Sequence, residues 1–560
     1  MQTEKKPPRR SIVISYFGCF VFSFAQILGF ISTGSWNNGE LSMKLLTAAV
    51  LAAAVLALPV SRLLLWLGRA RRFRKLIQPS GKGKEISYPI FLLTILCAWG
   101  FYYLAFYPGI EAYDFYWQWY EYSTGTLSTH HPLLHTLLMC TIVDHFGKGP
   151  RGGVAIYCFL QLFSLAAVAA YALYTVQKLK IPRWAVICML IFYAGFPLCP
   201  ILGVSLTKDV FFATFLLAAL VRGIKAAEEK KNVRHVLLLS LWLTLALLFR
   251  NNAVHAAAAV CIAMLIVLPF CRNRRFAGRI IACLLVSILL AEAGYAGLKK
   301  ATGARDSSLS LPVTLSVPLQ QIARVCNCRY TELDQEELNT LLRYWPEEEL
   351  FSYQESISDP IIGSFRDVSF RESPGKFFRV WASLGKRFPF TYMDAFLKNT
   401  LPLWYMDGRT IISSKNCFLE LEDAYPDRDS KIPGLLRFSV WLTGPESHIF
   451  DIPVLATLSS MALYFWLLWG VVLVLLSKKR YEELFLPLLP WTYLLTLLFG
   501  PCILPRYCFA SILCVPMLCA YLIHLANRGS DQTTETAPIE SDSSGLSSGS
   551  ALIGGKETRI

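Results

Sequence analysis

Charged residues are scarce in this sequence. Asp, Glu, Lys and Arg make up 17% of its 560 residues, whereas soluble domains usually contain about 25%. Hydrophobic residues reach 54%, and the mean hydropathy is +0.44. Apolar runs of roughly 18 to 25 residues recur along the chain, and each is long enough to cross a hydrocarbon core about 30 Å thick. The composition therefore excludes an ordinary soluble protein and predicts a polytopic membrane protein.

Other signals are also missing. The sixteen cysteines show no CxxC…CxxC zinc spacing, and most lie inside apolar runs, so we expect them to be unpaired and structural. The N-terminal MQTEKKPPRR leads into a run of spanning length, which argues against a cleavable signal peptide. The long polar segment 299–451 has no period-2 pattern, so we expect it to be mostly helical and the fold to be all-α.

Negative charge is outweighed by positive charge, with 54 Lys and Arg against 39 Asp and Glu, for a net charge of +15. The basic residues do not form a nucleic-acid footprint, because they sit in short connections such as GRARRFRK, KLKIPR and CRNRRFAGR. Short basic loops stay in the cytoplasm. With the N-terminus and C-terminus inside, all these connections fall on the cytoplasmic side of about twelve predicted transmembrane helices. The predicted spans are 12–33, 43–67, 86–107, 152–176, 184–204, 208–223, 234–250, 253–270, 279–298, 452–476, 484–500 and 507–526.

This topology predicts five regions. Residues 1–85 form a two-span extension with a basic cytoplasmic loop, and 86–298 form a transmembrane core with a first large external loop at 108–151. Residues 299–451 form an external, mostly helical domain, in which Asp334 and Glu337 have the spacing of a capping box. Residues 452–527 supply three more spans, and the Ser- and Gly-rich 528–560 form a disordered cytoplasmic tail.

Polar residues collect at the external edges of the predicted spans. They include the pair Lys208–Asp209, Arg250 and Asn251 in FRNNA, Gln321 and Arg324 after span nine, and Arg506–Tyr507 in LPRY. Each has a structural interpretation, because arginines near helix ends snorkel to headgroups and polar residues cap helices. Ionisable groups at membrane depth also tend to face a cavity or one another. Their shared sidedness predicts one cavity that opens outward.

The first large external loop carries the densest polar group. If 110–122 is helical, Glu111, Asp114, Gln118 and Glu121 lie along one stripe, while Tyr and Trp side chains rest on the membrane interface. His131 and His135 have the i, i+4 spacing of a metal-binding pair, but no further ligand is appended to them. We therefore predict Asp114 and His131 as catalytic residues and assign no metal site, with a divalent ion at Asp114 left open.

These motifs resemble the GT-C superfamily of integral membrane glycosyltransferases, which includes protein mannosyltransferases and the aminoarabinose transferase of lipid A. They are most similar to an uncharacterised bacterial multi-pass family related to it. The resemblance rests on YPGIEAYDFYWQW, THHPLLHTLL, SLTKDVFFATFLLAAL, LLFRNNA and LPRYCFASILCVP, and it extends over most spans from 86 to 526. It implies a polyprenyl-phosphate sugar donor, an acidic residue in the first large external loop, and inversion at the anomeric carbon. The two additional N-terminal spans and the helical insertion depart from many members and leave the acceptor open.

The chemistry of sugar transfer assigns roles to these residues. Asp114 is a candidate base or metal ligand, and His131 assists by hydrogen bonding. The predicted substrate-binding residues are Glu111, Gln118, Lys208, Asp209, Arg250, Asn251, Gln321, Arg324, Arg506 and Tyr507, the cations among them serving the phosphate. The expected partners are membrane lipid, the lipid-linked sugar and a glycan, lipid or protein acceptor, with no nucleic acid. A transporter or flippase and an envelope-assembly scaffold are the alternatives.

Overall fold

A computed structural model describes residues 7–34, 41–79, 85–407, 429–444 and 447–534 of the chain. Within these ranges all regular elements are helices, and strand-like pairing is limited to isolated bridges. The prediction of an all-α protein is therefore confirmed for the described residues. Cys326 and Cys328 form no disulfide.

The helices fall into three consecutive groups. The first group is α1 (Arg9–Thr33), α2 (Met43–Leu67), α3 (Arg71–Ile77), α4 (Tyr88–Ala105), α5 (Tyr113–Ser123), α6 (Leu133–His145), α7 (Pro150–Val176), α8 (Arg183–Gly195), α9 (Leu198–Gly203), α10 (Lys208–Glu228), α11 (Val233–Phe249), α12 (Ala253–Val267) and α13 (Arg274–Thr302). The second group is α14 (Ser310–Thr314), α15 (Ser316–Arg329), α16 (Gln335–Leu341), α17 (Asp359–Gly363), α18 (Asp367–Glu372) and α19 (Pro374–Arg387). The third group is α20 (Pro389–Trp404), α21 (Pro433–Thr443), α22 (Pro453–Ser459), α23 (Met461–Ser477), α24 (Phe485–Thr496) and α25 (Pro505–Thr534).

Eight of the described helices are long and apolar enough to cross a membrane, namely α1, α2, α4, α7, α10, α12 with its continuation to Phe270, α13 and α25. Helices α22 and α23 form a ninth candidate that is bent by 63°. The remaining three predicted spans fall on α8, α11 and α24, which have 13, 17 and 12 residues. At a rise of about 1.5 Å per residue these helices are shorter than the hydrocarbon core is thick. The protein is thus helical and polytopic. Among the described residues, length and composition identify eight or nine candidate spans, and the count of twelve stays a prediction.

The larger of two hydrophobic cores, which we call the main core, is formed mostly by the long apolar helices, and helix α10 lies at its centre. Its sequence is almost wholly apolar from Val210 to Val221, as expected for a helix surrounded by others. Within its apolar 18-residue stretch, 83% of the residues are buried. Helix α25 packs beside it, and 78% of the residues in its apolar 18-residue stretch are buried. These two helices therefore give fixed positions to the side chains at their ends, where the charged residues lie.

A second hydrophobic core lies within residues 315–392, which we call the cap unit. Its centre contains Trp345 and Phe377, both fully buried. The capping box is confirmed, because Asp334 accepts from the backbone of Glu337 and the Glu337 side chain accepts from the backbone of Asp334. The buried residues Leu401, Trp404, Leu436 and Phe450 pack instead in the larger hydrophobic core. The predicted domain 299–451 therefore contributes to two cores.

The C-terminal helix extends beyond its predicted end. Helix α25 continues to Thr534, so residues 528–534 are helical rather than part of an irregular tail. The rest of the predicted tail, 535–560, lies outside the described residues.

Candidate active site

Three short backbone pairings bring the candidate residues to one end of the helix bundle. Ile110, just before α5, pairs with Ser205, just before α10, through hydrogen bonds of 2.9 Å to Val204 and from Leu206. Ser128 pairs with Arg305 after α13. A Cβ at Gly109 would lie 2.4 Å from the Cys158 Sγ atom, so glycine permits this close approach. The first pairing places the starts of α5 and α10 side by side.

A third pairing joins the cap unit to the same end of the bundle. Ile357 pairs with Cys502, which lies just before α25. The Ser358 backbone N–H donates to the Pro501 carbonyl oxygen at 2.8 Å, and the Ser358 hydroxyl donates to the same oxygen at 3.0 Å. The cap unit is thereby fixed to the segment that leads into Arg506.

Asp114 lies at the centre of the polar cluster. It occupies the first turn of α5, where a carboxylate is favoured by the helix dipole. Lys208, the first residue of α10, donates a hydrogen bond to its Oδ2 atom. Arg506 Nη1 lies 3.5 Å from the same oxygen, and His131 Nδ1 lies 4.0 Å from it. The Asp114 side chain is 15% exposed, so the cluster is close to water without being open to it.

The charges of these neighbours determine the protonation of Asp114. Burial raises the pKa of the Asp114 carboxyl. The charges of the Arg506 guanidinium and of the Lys208 ammonium together lower it by more than burial raises it, so that the pKa lies well below its usual range. Asp114 is therefore ionised at neutral pH and acts as an anion that holds two cations. An acid so strongly stabilised in its charged form is a weak acceptor for a proton.

His131 is a neutral side chain in this cluster. Burial first, and the nearby Lys208 charge second, hold its pKa well below the usual range. Its Nδ1 atom lies 3.2 Å from Lys208 Nζ and accepts from that ammonium group, which leaves the ring proton on Nε2. Nε2 has no partner among the described residues. His131 thus presents a buried N–H donor.

A second layer of charge supports the first. Asp209 follows Lys208 in α10 and accepts a hydrogen bond from Arg250, which ends α11. The Arg250 guanidinium carbon lies 4.5 Å from the centroid of the Tyr507 ring, and that of Arg506 lies 4.9 Å from the same centroid. Arg506 Nη2 also donates to the Tyr507 hydroxyl at 3.1 Å. Tyr507 therefore separates two arginines that would otherwise repel each other at close range.

Three cations and two carboxylates make up this cluster, which we call the Asp114 cluster; its charged members are Asp114, Lys208, Asp209, Arg250 and Arg506. One positive charge is in excess when His131 is neutral. A site with more cations than carboxylates suits an anionic group such as a phosphate. A divalent ion on Asp114 would meet two cations at the same oxygen, so these donors fit an anion better than a metal. The described residues contain no group of three or more His, Cys, Asp or Glu arranged to hold a metal ion.

Several predicted residues do not join the Asp114 cluster. Gln118 is buried and donates to His135 Nδ1 at 3.0 Å and to Thr136 at 2.8 Å. Glu111 accepts from the Tyr116 hydroxyl at 2.8 Å, and Asn251 is exposed in the turn after α11. The predicted stripe on α5 therefore presents Asp114 alone to the cluster.

The remaining predicted residues lie in the cap unit. Gln321 accepts from the Trp381 indole N–H at 2.9 Å. Arg324 forms an ion pair of 2.7 Å with the buried Asp394. Both side chains are engaged within the packing of the cap unit and its junction with α20.

The two histidines that share a helical spacing diverge in space. His135 Nε2 lies 2.9 Å from the Tyr157 hydroxyl, and its Nδ1 faces Gln118, whereas His131 faces Lys208. They do not form a chelating pair in the described structure. His135 instead orders the packing of α6 against α5 and α7.

Aromatic side chains flank the Asp114 cluster on α5. Tyr116, Trp117 and Tyr120 are 53%, 63% and 59% exposed, which is unusual for large rings. Apolar surface of this kind at the end of a membrane helix bundle is typical of a lipid interface. The polar face of α5 thus meets the cluster while its outer face meets the surroundings.

Two residues outside the predicted substrate-binding set adjoin the Asp114 cluster. Asn252, rather than Asn251, accepts from Arg250 Nε at 3.2 Å and donates to Thr496 at 2.9 Å. Asp359 of the cap unit lies within the electrostatic reach of Arg506 and Asp114. Its surroundings in sequence, SISDP, contain no charge pattern that marks a site.

Comparison with known families adds one result. Residues 116–536 match the model of a family of unknown function, DUF6020. This range covers well over half of the chain and includes most of the cluster, so the chain belongs to that family. No curated protein and no solved structure matches the chain.

Proposed function

We propose that this member of DUF6020 is a membrane glycosyltransferase that moves a sugar from a polyprenyl-phosphate donor to an acceptor of the cell envelope. The observation that carries the proposal is the excess of cations around one ionised carboxylate, at an end of the bundle bordered by exposed aromatic rings. A lipid-linked sugar has the matching parts, since its tail stays in lipid, its phosphate is anionic, and its sugar projects toward water.

In this proposal the cations of the cluster act on the leaving group. As the bond from the anomeric carbon to the phosphate oxygen breaks, negative charge develops on the lipid phosphate. Lys208 contributes a point charge and Arg506 a bidentate donor, and both are already oriented by Asp114. Preorganised donors of this kind are often the largest single contribution to catalysis. His131 Nε2–H is suited to a hydrogen bond with a phosphate or sugar oxygen.

The exposed aromatic face of α5 supports the lipid part of the proposal. Tyr116, Trp117 and Tyr120 would lie beside the first isoprene units of a donor whose phosphate reaches Lys208. Arg250 and Asp209 stay one layer deeper, where they fix the starts and ends of the helices that carry the cluster. The expected products are the glycosylated acceptor, with inverted configuration, and polyprenyl phosphate.

The proposal includes a membrane orientation and a fold. The Asp114 cluster lies on the external side, both termini are cytoplasmic, and the four shorter or bent helices complete twelve GT-C-like crossings. Single cysteines introduced near Asp114, in a variant without the native cysteines, should react with an impermeant thiol reagent added outside intact cells. Reaction only after the cytoplasmic side is exposed would reject this orientation.

The function is tested by mass spectrometry of lipid-linked sugars and envelope glycans from cells with and without the gene. Loss of the protein should remove one sugar from an envelope component and leave its lipid-linked form in place. Restoration by the wild type, but not by Asp114→Asn at equal membrane abundance, is the expected result. Unchanged glycans in the deletion strain would reject the proposal.

One observation favours a transporter as the second candidate. The 63° break between α22 and α23 resembles the discontinuous helices of transporters, which place their substrate sites near the bilayer midplane. The buried charges of the Asp114 cluster lie instead at the ends of α10, α11 and α25. Substrate flux into vesicles without a covalent product would favour the transporter.

A further inference from the structure

The cap unit brings a third carboxylate, Asp359, to the edge of the Asp114 cluster. Asp359 is the first residue of α17, and its side chain is exposed. It has no hydrogen bond or ion pair with any other described residue, in contrast to Asp114 and Asp209. The charges of Arg506 and Asp114 both act on the pKa of its carboxyl.

The segment before Asp359 is held at four points, three through its backbone and one through a side chain. Gln320 of α15 donates to the Gln354 carbonyl oxygen, and Lys398 of α20 forms an ion pair of 2.5 Å with Glu355. Beyond these, Ile357 pairs with Cys502 and Ser358 donates twice to Pro501. An exposed acid at the end of so well-anchored a segment has a defined position, unlike an acid on a mobile surface loop.

The two acids at this site have opposite environments. Asp359 keeps an exposed surface, but the protein around its carboxyl displaces part of the surrounding water, and this desolvation raises the pKa. The Arg506 charge opposes the rise and the Asp114 charge adds to it, so that the net shift is upward. The pKa of Asp114 is shifted down, because Arg506 and Lys208 outweigh the effect of burial. Pairs of acids whose environments separate their pKa values often divide two roles between them.

We propose that Asp359 is the general base that removes the proton from the acceptor hydroxyl, while Asp114 holds the cations that receive the leaving phosphate. This inference rests on the proposed glycosyl transfer. The position of Asp359 supports it, because an acceptor arriving from water meets the exposed cap-unit carboxylate, whereas the donor phosphate meets the more buried Lys208 and Arg506.

The step balances without a further reactant. The acceptor hydroxyl proton passes to an Asp359 oxygen, and the acceptor oxygen forms a bond to the anomeric carbon. The bond from that carbon to the phosphate oxygen breaks, and its electron pair leaves with the lipid phosphate. Asp359 becomes neutral as the phosphate gains one negative charge, and that charge faces Lys208 and Arg506.

The pH dependence follows from the upward shift at Asp359. A base is active when deprotonated, so transfer should fall as the pH is lowered through the raised pKa of Asp359. The elements packed around α17 also carry Arg324, which is paired with Asp394, and Glu348 and Glu349 on the helical turn 348–351. The pKa of Asp114 is shifted in the opposite direction, well below its usual range, so the acidic limb is expected from Asp359.

The test uses the full-length protein in vesicles, the lipid-linked sugar fraction extracted from the source membranes, and envelope glycan from the deletion strain. Asp359→Asn should lower transfer by about 10²-fold or more and abolish the acidic limb, while binding of polyprenyl phosphate is retained. Formate should restore part of the activity of Asp359→Ala. Asp367→Asn is the matched control, because Asp367 also begins a short cap-unit helix and should transfer at the wild-type rate.

Three results would overturn the assignment. Wild-type transfer and pH profile in Asp359→Asn would remove Asp359 from the reaction while leaving glycosyl transfer established. Loss of both transfer and polyprenyl-phosphate binding, without formate rescue, would show that Asp359 only positions the cap unit. Absence of transfer by the wild type would reject the proposed function and the assignment with it.

Discussion

The two ends of α10 carry clusters of buried charge that differ in their balance. At the end where α10 begins, the Asp114 cluster has three cations and two carboxylates. At the end where α10 finishes, three carboxylates meet three cations, in a group that we call the Glu483 cluster. Its members are Glu228, Glu482, Glu483, Lys230, Arg480 and Arg528, with Tyr521 and His524 beside them.

The Glu483 cluster satisfies its charges internally. Glu483 is fully buried and accepts from Arg480 at 2.6 Å and 2.5 Å and from Tyr521 at 3.0 Å. Glu228 accepts from Arg528 at 2.5 Å. Equal numbers of charges in such an arrangement need no ligand, and a matched buried network tends to specify packing. Burial of charge alone therefore does not identify a functional site, and the proposed site rests instead on the unequal charges of the Asp114 cluster.

Replacing Asp114 should have the largest effect on transfer. Asp114→Asn removes the anion that orients Lys208 and Arg506, so transfer should fall by about 10³-fold, as when preorganised electrostatic stabilisation is lost. Rates are measured in membranes at equal protein amounts, with Asp144→Asn at the exposed end of α6 as the control. Wild-type transfer by Asp114→Asn would show that the cluster is not the reaction centre.

Replacing Arg506 should have the next largest effect. Arg506→Lys keeps the charge but loses the fork that reaches both Asp114 and Tyr507, so transfer should fall by about 10²-fold. Polyprenyl-phosphate binding should weaken in parallel, and a direct binding measurement checks this. Unaltered binding and transfer would assign Arg506 to the membrane interface instead.

His131 should contribute less. His131→Gln keeps a donor near the position of Nε2 but loses the Nδ1 acceptor for Lys208, so we expect about a ten-fold loss of transfer, equivalent to one hydrogen bond of about 1.4 kcal/mol. His130→Gln is the neighbouring control, since His130 has no hydrogen bond to Lys208 among the described contacts. An equal loss in both variants would indicate a general effect of the loop.

Breaking the Glu483 cluster should leave the transfer rate per folded molecule unchanged. Glu483→Gln leaves Arg480 without its buried partner, so the protein should lose about 3 kcal/mol of stability, measured by thermal unfolding in detergent. Comparing transfer below the unfolding range with the effect of Asp114→Asn sharpens the contrast between the two ends. A large loss of transfer by folded Glu483→Gln would mean that the two clusters are coupled.

The sequence was informative where one helix or one turn determines the outcome. Apolar length predicted the helical membrane fold, and the Asp334–Glu337 spacing predicted a capping box that the structure contains. The positions of polar residues at the predicted external ends of the helices also pointed to Asp114, Lys208, Arg250 and Arg506. The structure brings these four together, because helix ends on one side of a bundle are neighbours.

Residues that depend on long-range packing were beyond such reasoning. The predicted stripe on α5 assumes an isolated helix, whereas the Gln118 side chain is buried against α6 and donates to His135 and Thr136. Asp359 reaches the cluster only because Ile357 and Ser358 pair with residues 501–502, more than 140 positions away. No local pattern encodes that pairing. Arg324 likewise forms its ion pair with Asp394, a residue far from it along the chain.

The most direct test of glycosyl transfer at the Asp114 cluster follows both the sugar and the lipid phosphate of the donor in one experiment. Purified protein is reconstituted into vesicles with the isotopically labelled lipid-linked sugar fraction and envelope glycan, and mass spectrometry follows the label. Labelled glycan should appear together with an equal amount of polyprenyl phosphate, with the wild type and not with Asp114→Asn. Movement of the intact lipid-linked sugar between leaflets, with no labelled glycan, would contradict the account.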